Sequence, residues 1–155
     1  MAKKPRVKWY GKQVEKAALD AAMKALITGG EAILTEAINE TPVDTGTLRR
    51  SGTVTKGGLP NAEQVFGDAR AGNEQELGRE KGKEPAVYVS FNTPYARVQH
   101  EDLYYNRKTK ELESRVLEHP KGGGPKYLEN PFNRLKSKVR RLVDAAVKKA
   151  LRDKR

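Results

Sequence analysis

The sequence contains no cysteine, which excludes disulfides, thiolate metal sites and a cysteine nucleophile. Aromatic residues make up only 6% of its 155 residues, and 36% are hydrophobic against 33% charged. That balance is polar for a compact monomer. It favours long exposed loops or a domain completed by partners. No apolar run approaches the roughly 20 residues of a membrane span, and no apolar signal-peptide core follows the basic N-terminus. A soluble product on the cytoplasmic side, with no membrane contact, is expected. Catalytic signatures are missing as well: there is no Gly-x-Ser-x-Gly elbow, no P-loop and no dinucleotide fingerprint. At this length the chain forms one domain.

A net basic excess is lacking in the body of the chain and belongs to its two ends. Residues 1–12 carry five Lys or Arg and no acid, and residues 131–155 carry ten against Asp144 and Asp153. The two ends supply +5 and +8 of the net +11, which leaves −2 for residues 13–130. Nucleic acid or a strongly acidic protein surface suits such ends. The C-terminal segment reads as a helix with Asn130 as N-cap and Pro131 at the first helical position. Phe132, Leu135, Val139, Leu142, Val143, Ala146 and Ala150 make its apolar stripe. Arg134, Lys138, Arg140, Arg141, Lys148 and Lys149 populate the other faces. They are suited to neutralising phosphates without reading bases, or to meeting an acidic partner. The plain alternative is a solvated face.

Met1–Lys12 reads as a basic arm, with Trp9 and Tyr10 anchoring it on the domain or on a neighbouring subunit. Gln13–Glu40 follows helical spacing and would reach roughly 40 Å at ~1.5 Å per residue. Gly29-Gly30 interrupts it, so the spacing predicts one helix with a weak point, either bent there or closely approached by another backbone. Pro42 ends the helix, and Asp44, Thr45 and Gly46 supply turn chemistry, with Gly46 at positive φ and Asp44 and Thr45 bonding the turn backbone. Leu48–Lys56 reads as a strand. Residues 57–85 form a glycine-rich loop, a flexible insertion or a subunit contact, with a short strand at Ala62–Phe66 as an option. Ala86–Asn92 is the clearest strand, with Val87, Val89 and Phe91 on one face. Tyr95–Glu101 reads as a short helical turn, Asp102–Glu118 as an excursion with Glu113–Leu117 as a hairpin arm, and His119–Lys126 as irregular. Gly122–Gly124 invites comparison with an anion cradle, but it precedes Pro125 and no helix follows at once.

His100, Glu101 and His119 are the only constellation with metal-ligating character, and their spacing does not match the two-histidine helix of zinc hydrolases. Hydrogen-bonded structural roles are expected for them, with no cofactor and no enzymatic activity. A metal-dependent enzyme built on these three is a third reading.

Three stretches, in order, resemble one family. Thr41-Pro-Val-Asp-Thr-Gly-Thr-Leu-Arg-Arg-Ser51 after an alanine-rich helix resembles the signature of the "gene product ten" type tail-component, minor capsid and neck proteins of long-tailed bacteriophages. Pro94-Tyr-Ala-Arg-Val-Gln-His-Glu101 resembles the family's second motif, and His119-Pro-Lys-Gly-Gly-Gly-Pro-Lys-Tyr-Leu-Glu-Asn-Pro-Phe132 its third. The resemblance implies an α+β fold, with the long N-terminal helix packed on a small, mostly antiparallel sheet and a basic amphipathic C-terminal helix. It implies a single domain over 13–155, with loop insertions at about 57–85 and 102–125 that exceed a minimal member. Thr41, Pro42, Asp44, Thr45, Gly46, Leu48 and Arg49 would shape the corner, and Tyr95, Ala96, His100, Glu101, His119, Tyr127 and Leu128 the other two motifs. The implied role is structural: a homo-oligomeric ring in the virion neck, assembled in the host cytoplasm with connector, head-closure and tail-terminator proteins around the DNA channel. A stand-alone basic nucleic-acid-binding protein is the alternative from another class.

Overall fold

Residues 10–73, 75, 79–80, 85–106, 108–114, 119 and 121–153 are described by a computed structural model. Trp9 and the preceding arm, residues 115–117 of the expected hairpin arm, Glu118, Pro120, Lys154 and Arg155 lie outside the described residues. Tyr10, at the start of the first helix, is 54% exposed.

Helix α1 runs unbroken from Gly11 to Glu40. Its two adjacent glycines admit two different neighbours. A Cβ on Gly29 would lie 2.6 Å from Val139 Cγ1, on the C-terminal helix, while one on Gly30 would lie 3.1 Å from Val54 Cγ1 and 3.3 Å from Val87 Cγ1, on the sheet. Successive helical residues are about 100° apart, so the pair opens two sides of α1 at one level. The expected weak point is a close-packed crossing and not a bend.

The main sheet has three strands in the order β2-β1-β3: β1 (Gly52–Lys56), β2 (Arg79–Glu80) and β3 (Val87–Phe91). β1 is antiparallel to β3, with Val54 opposite Val89, and parallel to β2. β1 is buried on both faces: Val54 meets α1, and Thr53 and Thr55, which point the other way, are fully covered. Thr53 Oγ1 and Ser90 Oγ are 3.0 Å apart, and Asn92 Nδ2 donates to Thr53 Oγ1 and to the Ser51 carbonyl. The hydroxyls on that face are therefore satisfied rather than stranded. Helix α5 (Glu129–Arg152) lies along α1 and runs antiparallel to it, since Gly29 meets Val139 while Glu36 and Glu40 meet Arg134. The fold is α+β, with the long helix on a small sheet.

Several sequence expectations are corrected. Leu48–Lys56 is not one strand: Thr47–Arg50 forms a helical turn, α2, and extended structure begins at Gly52. Ser51 closes that turn, its N–H reaching the Thr47 and Leu48 carbonyls and its hydroxyl bonding Leu48 O at 2.7 Å. Ala62–Phe66 is not a strand but the first half of α3 (Ala62–Arg70). Asn61 Oδ1 caps it by accepting from the N–H groups of Glu63 and Gln64, and Val65 and Ala69, one turn apart, are its buried residues. The 57–85 insertion is thus not structureless, since it also contains β2. A helical turn, α4, occupies Ala96–His100 as expected. The 102–125 insertion contains a hairpin, β4 (Leu103–Asn106) and β5 (Glu111–Ser114), so the described arm starts two residues before Glu113. Helix α5 starts at Glu129, which places Asn130 inside it and Pro131 at its third position. The missing proline N–H still falls among the unpaired donors of the first turn.

Gly29→Ala is expected to lower stability by about 1 kcal/mol net, because the overlap with Val139 outweighs a helix-propensity gain of similar size. In the double variant with Val139→Ala the effects should couple by about 0.5 kcal/mol or more, read from denaturant unfolding. Additive losses would place the clash elsewhere.

Candidate functional site

The three motifs meet at the C-terminus of α1. A helix end leaves its last four carbonyls without intrahelical partners. Here each one is answered. Ala37 O accepts the Thr41 hydroxyl at 2.7 Å, and Ile38 O accepts the Thr41 N–H. Asn39 O receives Arg49 Nη2 at 3.4 Å, and Glu40 O receives the Gly124 N–H at 3.0 Å. Arg49 also donates from Nε and Nη2 to Thr41 O, at 3.1 and 3.0 Å. A cation at a helix C-terminus is favoured by the dipole as well as by these bonds. Arg50, the next residue, does the same for α3, with Nε 2.9 Å from Ala69 O.

The turn that lets Arg49 reach back depends on Gly46, at φ 79°. Thr45 Oγ1 accepts from the Thr47 N–H at 3.4 Å and lies 2.9 Å from the Thr47 hydroxyl. Asp44 behaves otherwise than the sequence suggests. Its carboxylate is 92% exposed and sits 3.6 Å from Lys121 Nζ, on the third motif, instead of bonding the turn backbone. Leu48 is buried beneath the turn.

The third motif clasps the first and the second. Gly123, at φ 83°, lies so close that a Cβ there would be 2.5 Å from Pro42 N. The glycine run therefore fastens the helix end, since the Gly124 N–H is spent on Glu40 O, and it cradles no anion in this arrangement. Tyr127 is almost fully buried; its hydroxyl donates to Ala96 O at 2.9 Å, and its ring makes edge contacts at 5.0 Å with both Phe91 and His100. The Lys126 N–H reaches His100 O at 2.8 Å, and its ammonium bridges Glu101 and Glu129. His100 is committed at both nitrogens: Nδ1 lies 2.7 Å from Glu101 Oε1, and Nε2 accepts from the Glu129 N–H at 3.4 Å. Hydrogen bonds from Lys126 and then His100 hold the Glu101 carboxyl below its usual value. His119 stands apart, with Nε2 3.7 Å from Asp102 Oδ1. No group of three metal-ligating side chains occurs among the described residues. Pro42, Gly46, Tyr95, His119 and Lys121 wall a cleft of about 470 Å³ where the motifs converge. Burial raises the Tyr95 phenol above its ordinary value, and it raises that of Tyr127 much further.

The basic residues of α5 divide into three groups. Arg134 is not free for an external anion, because its guanidinium pairs with Glu36 and Glu40 and ties α5 to α1. An i,i+4 acidic pair on one helix facing an arginine on another is the signal that sequence reading misses. Lys138, Arg141, Lys148, Lys149 and Arg152 are exposed and, at about 100° per residue, fall within a single arc of about 100° on α5. Lys136 and Arg140 flank the apolar side, where they wall a groove with Leu26, Ile33, Phe132 and Val143. Leu128 lines an adjoining groove, which shares Leu26, Ile33, Phe132 and Val139 with the first. No described helix is long and apolar enough to cross a membrane.

A junction closed by backbone contacts and ion pairs is the signature of a structural domain that must keep its shape. The family comparison names the class. A family model for bacteriophage tail components matches residues 5–98, which include the first motif and most of the second. The chain belongs to this HK97-gp10-like family, and so is a structural tail component of the virion. The third motif and α5 lie beyond the matched residues. No curated protein and no solved structure matches the chain.

Gly123→Ala combines a left-handed backbone with overlap onto Pro42 and is expected to cost about 2 kcal/mol or more, measured as a drop in unfolding midpoint. The Tyr127 phenol ionises near its ordinary pKa of 10.0 when unfolded and far higher when folded. Its contribution is whole below pH 10.0 and is lost as pH rises towards the folded value. Tyr127→Phe should blunt alkaline unfolding above that pH while losing about 1 kcal/mol at neutral pH with the bond to Ala96. An unchanged alkaline profile would show that another group controls it.

Proposed function

We propose that the chain forms a homo-oligomeric ring in the virion neck, joining head and tail around the DNA channel alongside connector, head-closure and tail-terminator proteins. Assembly takes place in the host cytoplasm. Membership of a tail-component family carries the reading. The polar composition supports it, because a domain whose neighbours complete it needs less core of its own. The motif residues Thr41, Pro42, Thr45, Gly46 and Arg49 serve as a rigid corner, with Tyr127, Lys126 and Gly124 as its lock; they hold shape and perform no chemistry. The exposed stripe of Lys138, Arg141, Lys148 and Lys149 faces phosphate or an acidic partner ring. Arg134 is removed from that set by its pairing with Glu36 and Glu40.

Electron microscopy of the purified chain, alone and with the other neck proteins, tests the ring directly; particles that never close into discrete rings would overturn it. For the stripe, Lys138→Glu, Arg141→Glu and Lys148→Glu together should weaken DNA binding in vitro. They should also flatten its dependence on log salt by about 0.9 for each phosphate no longer neutralised. Virions with unaltered assembly and DNA content would remove the phosphate role and leave a solvated face.

A further inference from the structure

Strand β3 is the edge of the main sheet, and its outer side is open among the described residues. Gly57 N donates to Ala86 O and Asn92 N to Ser51 O, so the even-numbered residues of β3 pair with β1. Val87 and Val89 therefore turn their N–H and C=O groups outward, and among the described residues nothing bonds them. Edge strands of this kind are ordinarily blunted by charge, proline or a bulge. β3 reads Val-Tyr-Val-Ser-Phe and has neither charge nor proline.

The layer behind it is also unfinished. Packed helices stand about 8–10 Å apart, whereas strands stand about 4.8 Å apart. α1 lies over the sheet, and α5 lies beside α1 on the β3 side. Val87 and Val89 share a groove of about 460 Å³ with Leu26, Phe132 and Val139, and Phe132 is 51% exposed. The apolar side of α5 thus has no described strand across it, and a further two strands, about 10 Å wide, would cover it.

The chain carries a two-stranded unit of that width. Among the described residues the β4–β5 hairpin pairs only with itself, and it packs mainly on α4. An isolated hairpin is marginal in water. Its four paired positions match the five-residue length of β3. Its charge suits one end of that surface: β5 exposes Glu111 and Glu113, and Lys136 and Arg140 stand with Asp144 on the adjoining groove between α1 and α5, whereas Glu129 lines the end nearer β3.

We propose that the β4–β5 hairpin of a second copy of this chain adds to the free edge of β3, with β5 next to β3, over α5. The inference rests on the ring reading and names its subunit contact. The contact is head-to-tail, because hairpin and edge are different surfaces, and repetition of such a contact closes into a ring when the rotation permits. The Val89 N–H has no partner among the described residues, so Val89→Pro removes no described bond of the folded protomer while blocking the added strand.

The test is sedimentation of the full chain over a range of concentration. Val89→Pro, checked for folding by circular dichroism, should weaken association by about tenfold or more. Lys136→Glu with Arg140→Glu should weaken it too, and adding Glu111→Lys should restore part of it, Glu113 being left in place because it accepts from Asn106 and Thr109 within the hairpin. If Val89→Pro does not fold, the charge exchange decides alone. An oligomer indifferent to these variants overturns this contact and leaves the ring reading standing. A wild-type chain that remains monomeric at all concentrations overturns both. Association seen only after mixing with another virion protein makes the occupant a different chain and overturns the proposal.

Discussion

A helix that stops inside a domain leaves carbonyl oxygens that must be answered, and in this chain that demand joins three segments far apart in sequence. Thr41 answers two of them locally. Arg49 reaches back across a turn made possible by the positive φ of Gly46, and Gly124 arrives from more than eighty residues downstream. Once Gly124 is seated, Gly123 lies against Pro42, and Tyr127 is delivered to the Ala96 carbonyl. The start of α5 follows directly, so its direction along α1 is set by the same closure.

The second constraint is the paired glycines in α1. Gly29 lets α5 approach and Gly30 lets the sheet approach, at one level of one helix. Helix and sheet are thus registered to each other through α1. The bridge from Arg134 to Glu36 and Glu40 is exposed, so screening by solvent makes it a device for register more than for stability. Arg134 stands two turns before Arg141 on the same side of α5, so the bridge takes one cation out of the exposed stripe, and the others divide by azimuth between that stripe and the groove wall.

The long elements are legible in the sequence because periodicity accumulates over many turns. α1, β3 and α5 all stand near their expected places. The glycine pair admits both outcomes on sequence alone, and packing selects the close approach. Shorter elements escape. Four residues of α2 are too few to show a period, so the β-branched run after Ser51 draws the strand boundary too far back. In α3 the apolar Val65-Phe66 pair suggests a strand, although Asn61 carries a readable capping signal. The start of α5 shifts by two residues because Asn130 and Pro131 have strong terminal preferences that other positions in the first turn also satisfy. At the site, the motifs are legible as a resemblance, while their mutual contacts are not. Asp44 looks like a turn-former and serves Lys121, and Arg50 and Asn92 act through partners that only the folded chain brings near.

Most of the fastenings at the α1 terminus end on main-chain atoms: carbonyls of residues 39, 40, 41, 96 and 100, and N–H groups of residues 124 and 126. A lock of that kind is insensitive to which side chains decorate the outer faces of α1 and α5. Substitution there can retune charge and shape towards a different neighbour without loosening the corner. The domain is thereby divided into a part that drift would spoil and a part that drift can use, and adaptation to new tail architectures has a surface on which to proceed.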